Sequence, residues 1–389
     1  MTQAPVCEID LYSDEFIADP WPGYAEMRKL GAVVWLPVHG NYALTRSREV
    51  REAVRDHERF CSGHGVAADR FGCEFLQGNT VASDQPRHTQ LRNAMAPPLR
   101  PDALEEIRPH IEQMADELVA SLTGRDGFDA VSDLAQYLPL TIVRDMVGLP
   151  DFGKSNMLKW AAAAFNVLGV QNGRGRDAVA DIREMREFIS DGISSDTVKS
   201  GSWIRRIFDL EKEGGIDPDL TPFAVRDYIN PSLDTTISAI GHLIWQLGSN
   251  PGEWEKLKEN PNLVLNAIHE AVRMGTPVRT FSRRTTEPVT IDSVEIPEGA
   301  RVMMLFASAN RDERVFENPD TFDISRNNRR HLGFGAGIHM CIGMHLALIE
   351  MTAVLKAMLD RVDKIEVGTP TVAMNNTICA FSSLPAKFR

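Results

Sequence analysis

Apolar residues recur every three to four positions over most of the chain, the period of an amphipathic helix. Residues 104–122, 134–147 and 182–193 carry it most clearly, and glycine-bearing segments at 124–127, 148–153 and 169–175 separate them. Asp19-Pro20-Trp21-Pro22 opens a short helix over 23–30. Strand-like alternation is brief: 32–36 and 41–45, joined at His39-Gly40, then 289–296, 301–306 and parts of 372–388. Residues 60–81 turn to glycine, serine and mixed polar positions and read as a long loop of the kind that helps to form a binding site. The expected class is mainly α with small β-regions. No linker or low-complexity run divides the 389 residues, so 1–389 is read as one domain.

The longest apolar pattern starts at Thr221-Pro222, runs to Leu247 and stops at Gly248-Ser249-Asn250-Pro251-Gly252. A helix of that length crosses the molecule. Inside it Pro231 cannot donate to the carbonyl of Asp227, and Thr235 and Thr236 compete for backbone carbonyls, so the helix should be irregular over 231–236. A buried kink carrying Asp234 and Thr235 costs stability that function must justify. Upstream, Asp84 reads as an N-cap with Pro86 in the first turn, and His88 and Arg92, four apart, share one face where both can meet one anionic group. Taken alone, that pair fits solvated surface charge better. Asn260-Pro261 begins a further helix that ends near Gly275, with Glu270 and Arg273 three apart on one face.

Composition narrows the partners. A formal charge of −12 argues against nucleic acid or an anionic membrane surface. Cys7, Cys61, Cys73, Cys341 and Cys379 are odd in number and scattered, which indicates neither a disulfide framework nor a zinc site and suits a reducing cytoplasm. The N-terminal residues lack a basic region followed by an apolar run, and nowhere do about 18 apolar residues follow one another, so no membrane anchor is expected.

One cysteine stands apart. In the stretch from His331 to Gly343, glycines 333, 335 and 337 permit positive φ and a tight loop, which delivers Cys341 to the start of the apolar helix pattern at 344–362. Unpaired amides there, with the positive end of the helix dipole, should make Cys341 thiolate-prone. A lone cysteine is more often buried and inert. Here Phe334, Gly337, His339, Cys341 and Gly343 together fit F-x-x-G-x-H-x-C-x-G, which resembles the haem-ligating loop of the cytochrome P-450 family.

That resemblance extends through D-x-P-x-H-x-x-x-R at Asp84–Arg92, the central Asp234-Thr235 pair and E-x-x-R at Glu270–Arg273, in family order. It implies the cytochrome P-450 fold, a single triangular domain with haem b between the central helix and the cysteine-loop helix. Cys341 would be the iron ligand, its electron donation favouring O–O cleavage. Phe334 would cover the sulfur and Gly343 would let the helix approach the porphyrin. His339, His88, Arg92 and Arg283 would meet propionates, with Arg284 the rival of Arg283 because the doubled arginine leaves the register open. Asp234 and Thr235 would conduct protons, Glu270, Arg273 and Arg326 would form a buried structural triad, and residues 160–165 would roof the pocket.

The implied function is a soluble monooxygenase that inserts one atom of O₂ into an organic substrate. Its electrons come from NAD(P)H through a separate ferredoxin and ferredoxin reductase, and the enzyme is expected as a monomer. Two other classes compete: a haem-binding sensor or carrier, which needs no Asp234-Thr235 relay, and a hydrolase or transferase using Cys341 with His339 as base. Residues 231–238 resemble the central helix of bacterial enzymes that oxidise para-substituted benzoates. That likeness puts Phe165 and Phe281 on aromatic pocket walls, Arg226 at a cation position, and Asn230 among the polar contacts. Residues 71–80 lack the arginine and serine that hold a carboxylate in those enzymes, so a phenolic or apolar group, met by Gln77, Asn79 or Asn230, stands beside a benzoate. Terpenoids and fatty acids are the alternative substrates.

Overall fold

Some helices in this chain begin at a side-chain cap, and the central pattern breaks where a proline withholds a donor. The computed structural model describes residues 3–389. Ser13, Asp69, Asn172 and Ser202 each accept from a first-turn amide of the helix that follows. The Asn172 cap moves one boundary: the helix Gly173–Gly192 starts nine residues before the periodic stretch at 182. Gly175, read as part of a break, lies in its first turn, where a Cβ would sit 2.2 Å from the Val170 carbonyl oxygen. Residues 134–147 are not one α-helix either. They run through π-helical turns at Ala130–Ala135 and Pro139–Val143 before a short α-turn, with the Gln136 amide donating to the Val131 carbonyl.

The expected loop at 60–81 holds a strand at Phe60–Cys61, a helix at Arg70–Phe75 and a 3-10 turn at Thr80–Ala82. Asp84 is not an N-cap: its carboxylate accepts from the amides of Ser62 at 2.7 Å and Gly63 at 2.8 Å, and the helix Arg87–Met95 begins beyond it. Asp84 thus ties the loop to the helix that carries His88 and Arg92.

The pattern over 221–247 is two helices, Thr221–Ile229 and Asp234–Ser249. Between them Ser232 Oγ donates to the Tyr228 carbonyl, and Thr235 Oγ1 donates to the Pro231 carbonyl at 2.9 Å. Side-chain hydroxyls replace the ladder that Pro231 interrupts. The second helix packs on Val264–Gly275. There Arg273 and Glu270 are both fully buried, joined at 2.7 and 2.8 Å, and Arg326 Nε reaches Glu270 Oε1 at 3.0 Å. Arg273 Nη1 also donates to the carbonyls of Asn310 and Pro319. The pair pins the segment leading to the cysteine loop against the core. Removing one partner of such a buried pair costs about 3–5 kcal/mol.

A five-stranded sheet lies beside the helices in the order Val33–Leu36, Asn41–Leu44, Arg301–Leu305, Thr280–Thr285, Phe60–Cys61. Phe281 pairs with Met304 and Arg283 with Val302, so Phe281 and Arg283 share one face and Arg284 takes the other. The helical core runs from Val66 to Phe388 as one apolar cluster. Among the described residues no helix is long and apolar enough to cross a membrane.

Candidate active site

Two tight turns carry the chain to Cys341. Gly335 and Gly337 have φ near +70°, and a Cβ on Gly337 would meet the Val54 carbonyl oxygen at 2.7 Å. Gly333 does not share that conformation; it is required instead by Val272, whose Cγ1 would lie 2.4 Å from a Cβ. The Cys341 amide donates to the Phe334 carbonyl at 2.9 Å, and the helix Met344–Arg361 follows. Cys341 is the exposed member of the five free cysteines, and it lines an interior cavity. Burial pushes its thiol up; the amides of Gly343 and Met344 and the charge of Arg92 pull it down without prevailing. The helix-start amides do act on the sulfur as expected, and desolvation outweighs them. A coordinated cation reverses that balance by deprotonating the thiol.

Phe334, His339 and Gly343 line the cavity with Cys341, and Thr235 and Thr236 line it from the broken central helix. Asp234 stands one residue behind, without a hydrogen-bond partner for its carboxylate among the described residues, and burial raises its pKa to about 7. Phe165 and Phe281 form apolar wall, Phe165 from the helix Asp151–Val167 and Phe281 from the sheet. Asn230 and Asn79 also line it, and the side-chain carbonyl oxygen of each is buried without a partner. Glu350, absent from the sequence expectations, lines the cavity from the cysteine-loop helix. Its Oε1 is buried and unpartnered, and burial raises its pKa to about 8. The available signal was one acidic position among the largely apolar residues 344–355.

A second group of side chains tests whether this space suits haem. Arg92 and Arg283 line the cavity, and neither has a carboxylate within ion-pair distance among the described residues. Burial holds the Arg283 pKa down at about 10. His88 is buried with both ring nitrogens unpartnered, its ring edge-on to His339 at 4.5 Å, and His339 lies 3.0 Å from Ser62 Oγ. Desolvation lowers both histidines. Arg92 Nη2 donates to the Met340 carbonyl and Arg283 Nη1 to the Ser282 carbonyl, so of these groups only the His88 nitrogens lack a hydrogen bond among the described residues. Two cations without a counter-charge beside a sulfur-bearing cavity nevertheless fit a flat prosthetic group with acidic arms. Arg284 is exposed and donates to the Gly299 carbonyl, so the alternation favours Arg283.

Four expected residues fall outside the cavity lining. Arg226 is buried but outside the cavity, its guanidinium over the Phe223 ring at 4.1 Å. Gln77 lines that same outer pocket with Phe75 and Gly78, while Leu76, Asn79 and Thr80 line the cavity from the other side of the turn. His88 and Gly337 support the wall without lining it.

A family model described as Cytochrome P450 matches residues 224–377. The curated relative "Cytochrome p450 CYP199A2" of Rhodopseudomonas palustris is 33% identical over 386 residues, covering 98% of this chain and 94% of its own. Cytochrome P450 107B1 of Saccharopolyspora erythraea is 30% identical over 385 residues, covering 93% and 92%. The solved structure of the Mycobacterium marinum cytochrome P450 CYP268A2 in complex with pseudoionone matches with a TM-score of 0.87 at 27% identity over the whole of both chains. The chain belongs to the cytochrome P450 family.

Proposed function

We propose that this cytochrome P450 oxidises a small methoxy- or alkyl-substituted aromatic compound at its substituent and draws electrons from an acidic ferredoxin. The family carries haem b and its members are monooxygenases. Haem, when bound, supplies the oxygen activation; Cys341 is the residue to hold its iron, with His88, Arg92, Arg283 and His339 on its acidic arms.

What supports the aromatic reading is the pairing of Phe165 and Phe281 on one cavity with the unpartnered carbonyls of Asn79 and Asn230. Aromatic walls favour edge-to-face contact with a flat ring, which aliphatic chains and terpenes cannot use. A phenolic O–H would satisfy a buried amide carbonyl. Because Arg226 lies outside the cavity, a carboxylate has no cation there beyond the two assigned to haem. A methoxyphenol is therefore the better ligand, ahead of a methoxybenzoate.

Asp234 and Thr235 supply the proton path. Thr235 reaches the cavity while tied to the Pro231 carbonyl, and Asp234, with a pKa near 7, can take a proton from solvent and release it inward. For electron delivery, Arg329 and Arg330 are exposed, and Arg51 donates to the Arg330 carbonyl, forming a basic face near the cysteine loop of an acidic protein. Arg87 does not join that face; it lies over Phe223.

Titrating the holoenzyme with a methoxyphenol, 4-methoxybenzoate, camphor and a medium-chain fatty acid should give the largest low-to-high spin shift with the methoxyphenol. A large shift with camphor or the fatty acid, and none with either aromatic, overturns the reading. Thr235→Ala should keep the spin shift but divert most reducing equivalents to hydrogen peroxide. Asp234→Asn should slow turnover by about 10²-fold or more. In the wild type the protonated fraction of Asp234 falls as pH rises through about 7, so product per NAD(P)H should fall with it, and the Asn variant should lose that limb. Unchanged coupling in both variants removes the relay. Arg329→Glu with Arg330→Glu should slow ferredoxin reduction of the haem about tenfold and flatten its salt dependence; an unaltered rate rules out this docking face.

A further inference from the structure

Beside the active-site cavity lies a second pocket, and no residue lines both. Three arginines from three helices converge on it: Arg87 from Arg87–Met95, Arg186 from Gly173–Gly192 and Arg226 from Thr221–Ile229. Arg87 and Arg226 both stack on the ring of Phe223, at 4.3 and 4.1 Å, and Arg186 stacks on Phe75 at 4.1 Å. Among the described residues, none of the three has a carboxylate within ion-pair distance. The pocket's two acidic neighbours are already engaged: Glu74 pairs with Arg70 at 2.7 Å, and Asp84 accepts from the Ser62 and Gly63 amides. The hydrogen bonds of the arginines go to backbone carbonyls, Arg87 Nε to Gly78, Arg186 Nη2 to Phe75 and Arg226 Nε to Pro222.

The nearest buried carboxylate, Asp227, is engaged by Thr80 and offsets Arg226 and Arg87 only in part, so gathering three cations here is unfavourable, and the cost is visible. Arg226 is over nine-tenths buried, and burial followed by the charge of Arg186 brings its pKa down to about 10. Arg186 Nε is buried without a partner. The aromatic faces and backbone carbonyls fix the guanidinium planes, leaving fork-shaped donors free for an oxyanion. In a chain of net charge −12, such a cluster has no value as a general surface feature.

We propose that Arg87, Arg186 and Arg226 form a second, anion-binding site outside the haem cavity, which takes a compact oxyanion, the carboxylate of a small organic acid or a phosphate. The turn between the two pockets couples them. Phe75, Gln77 and Gly78 face the arginines, while Leu76, Asn79 and Thr80 line the haem cavity. Thr80 is locked to Asp227, the residue after Arg226, by its amide at 2.7 Å and its hydroxyl at 2.6 Å. An anion on Arg226 and Arg87 therefore steadies the segment that presents Asn79 to substrate, and by reciprocity substrate tightens the anion site.

The test is calorimetric titration of the holoenzyme with citrate and, separately, inorganic phosphate, at ionic strength matched with sodium chloride. Saturable one-to-one binding is expected for at least one of the two, and which of them binds identifies the source of the oxyanion. Arg186→Gln, at a half-buried position, should weaken it at least about tenfold, as should Arg87→Gln. The bound anion should also tighten the spin-state titration of an uncharged methoxyphenol in the wild type and not in Arg186→Gln. Absence of saturable heat with both anions, or binding equal in wild type and both variants, overturns the site. Anion binding that leaves the methoxyphenol titration unmoved overturns the coupling.

Discussion

The structure depends on holding one sulfur in an interior cavity while keeping a polar break in the helix on another wall. Neither half is cheap. The cysteine loop needs left-handed backbone at Gly335 and Gly337 and a close approach at Gly333, and the central helix gives up ladder hydrogen bonds around Pro231. The compensations are local and specific. Serine and threonine hydroxyls take freed carbonyls, Asp84 ties the loop after Phe60–Cys61 to the helix of His88 and Arg92, and the buried Glu270–Arg273–Arg326 group anchors the chain that leads into the cysteine loop. Each is a polar contact in a place where an apolar one would pack more simply, which is the mark of a site retained for its chemistry.

Electrostatics divides the region in two. Around the cavity, Arg92, Arg283 and His88 lack protein counter-charges, as suits donors meant for a prosthetic group's acids. Across the Phe75–Thr80 turn a separate set of arginines stacks on Phe75 and Phe223. Three carboxyls stand at or beside the cavity, Asp227, Asp234 and Glu350, and burial raises all three, Asp234 to about 7 and Glu350 to about 8, so each holds its proton more readily than a solvated acid.

What the sequence made legible follows from what kind of signal each feature leaves. The cysteine loop was readable because several unusual residues fall in fixed register, and the helix break because proline has one backbone consequence. Strand register puts Arg283 on the face of Phe281 and Arg284 on the other, a distinction that needed the pairing partner. Helix boundaries set by tertiary contacts were not readable: Gly173 and Gly175 read as a break yet start a helix, since Gly175 is there to let Val170 approach. Arg226 was placed at a cation position of the substrate pocket by resemblance alone, but the interruption at 230–233 and the stacking on Phe223 turn it to the far side. Glu350 and the arginine group left almost no trace, because a single charge on a helix looks the same whether solvent or a cavity meets it.

The central claim is that Cys341, alone of the five cysteines, ligates haem iron as a thiolate. The direct measurement is the absorbance of the reduced, carbon-monoxide-bound protein for the wild type and for serine variants at each cysteine. The wild type and the Cys7, Cys61, Cys73 and Cys379 variants should absorb near the wavelength that names the family, and Cys341→Ser should not. Retention of that band in Cys341→Ser, or its loss in one of the others with haem still bound, would contradict the assignment.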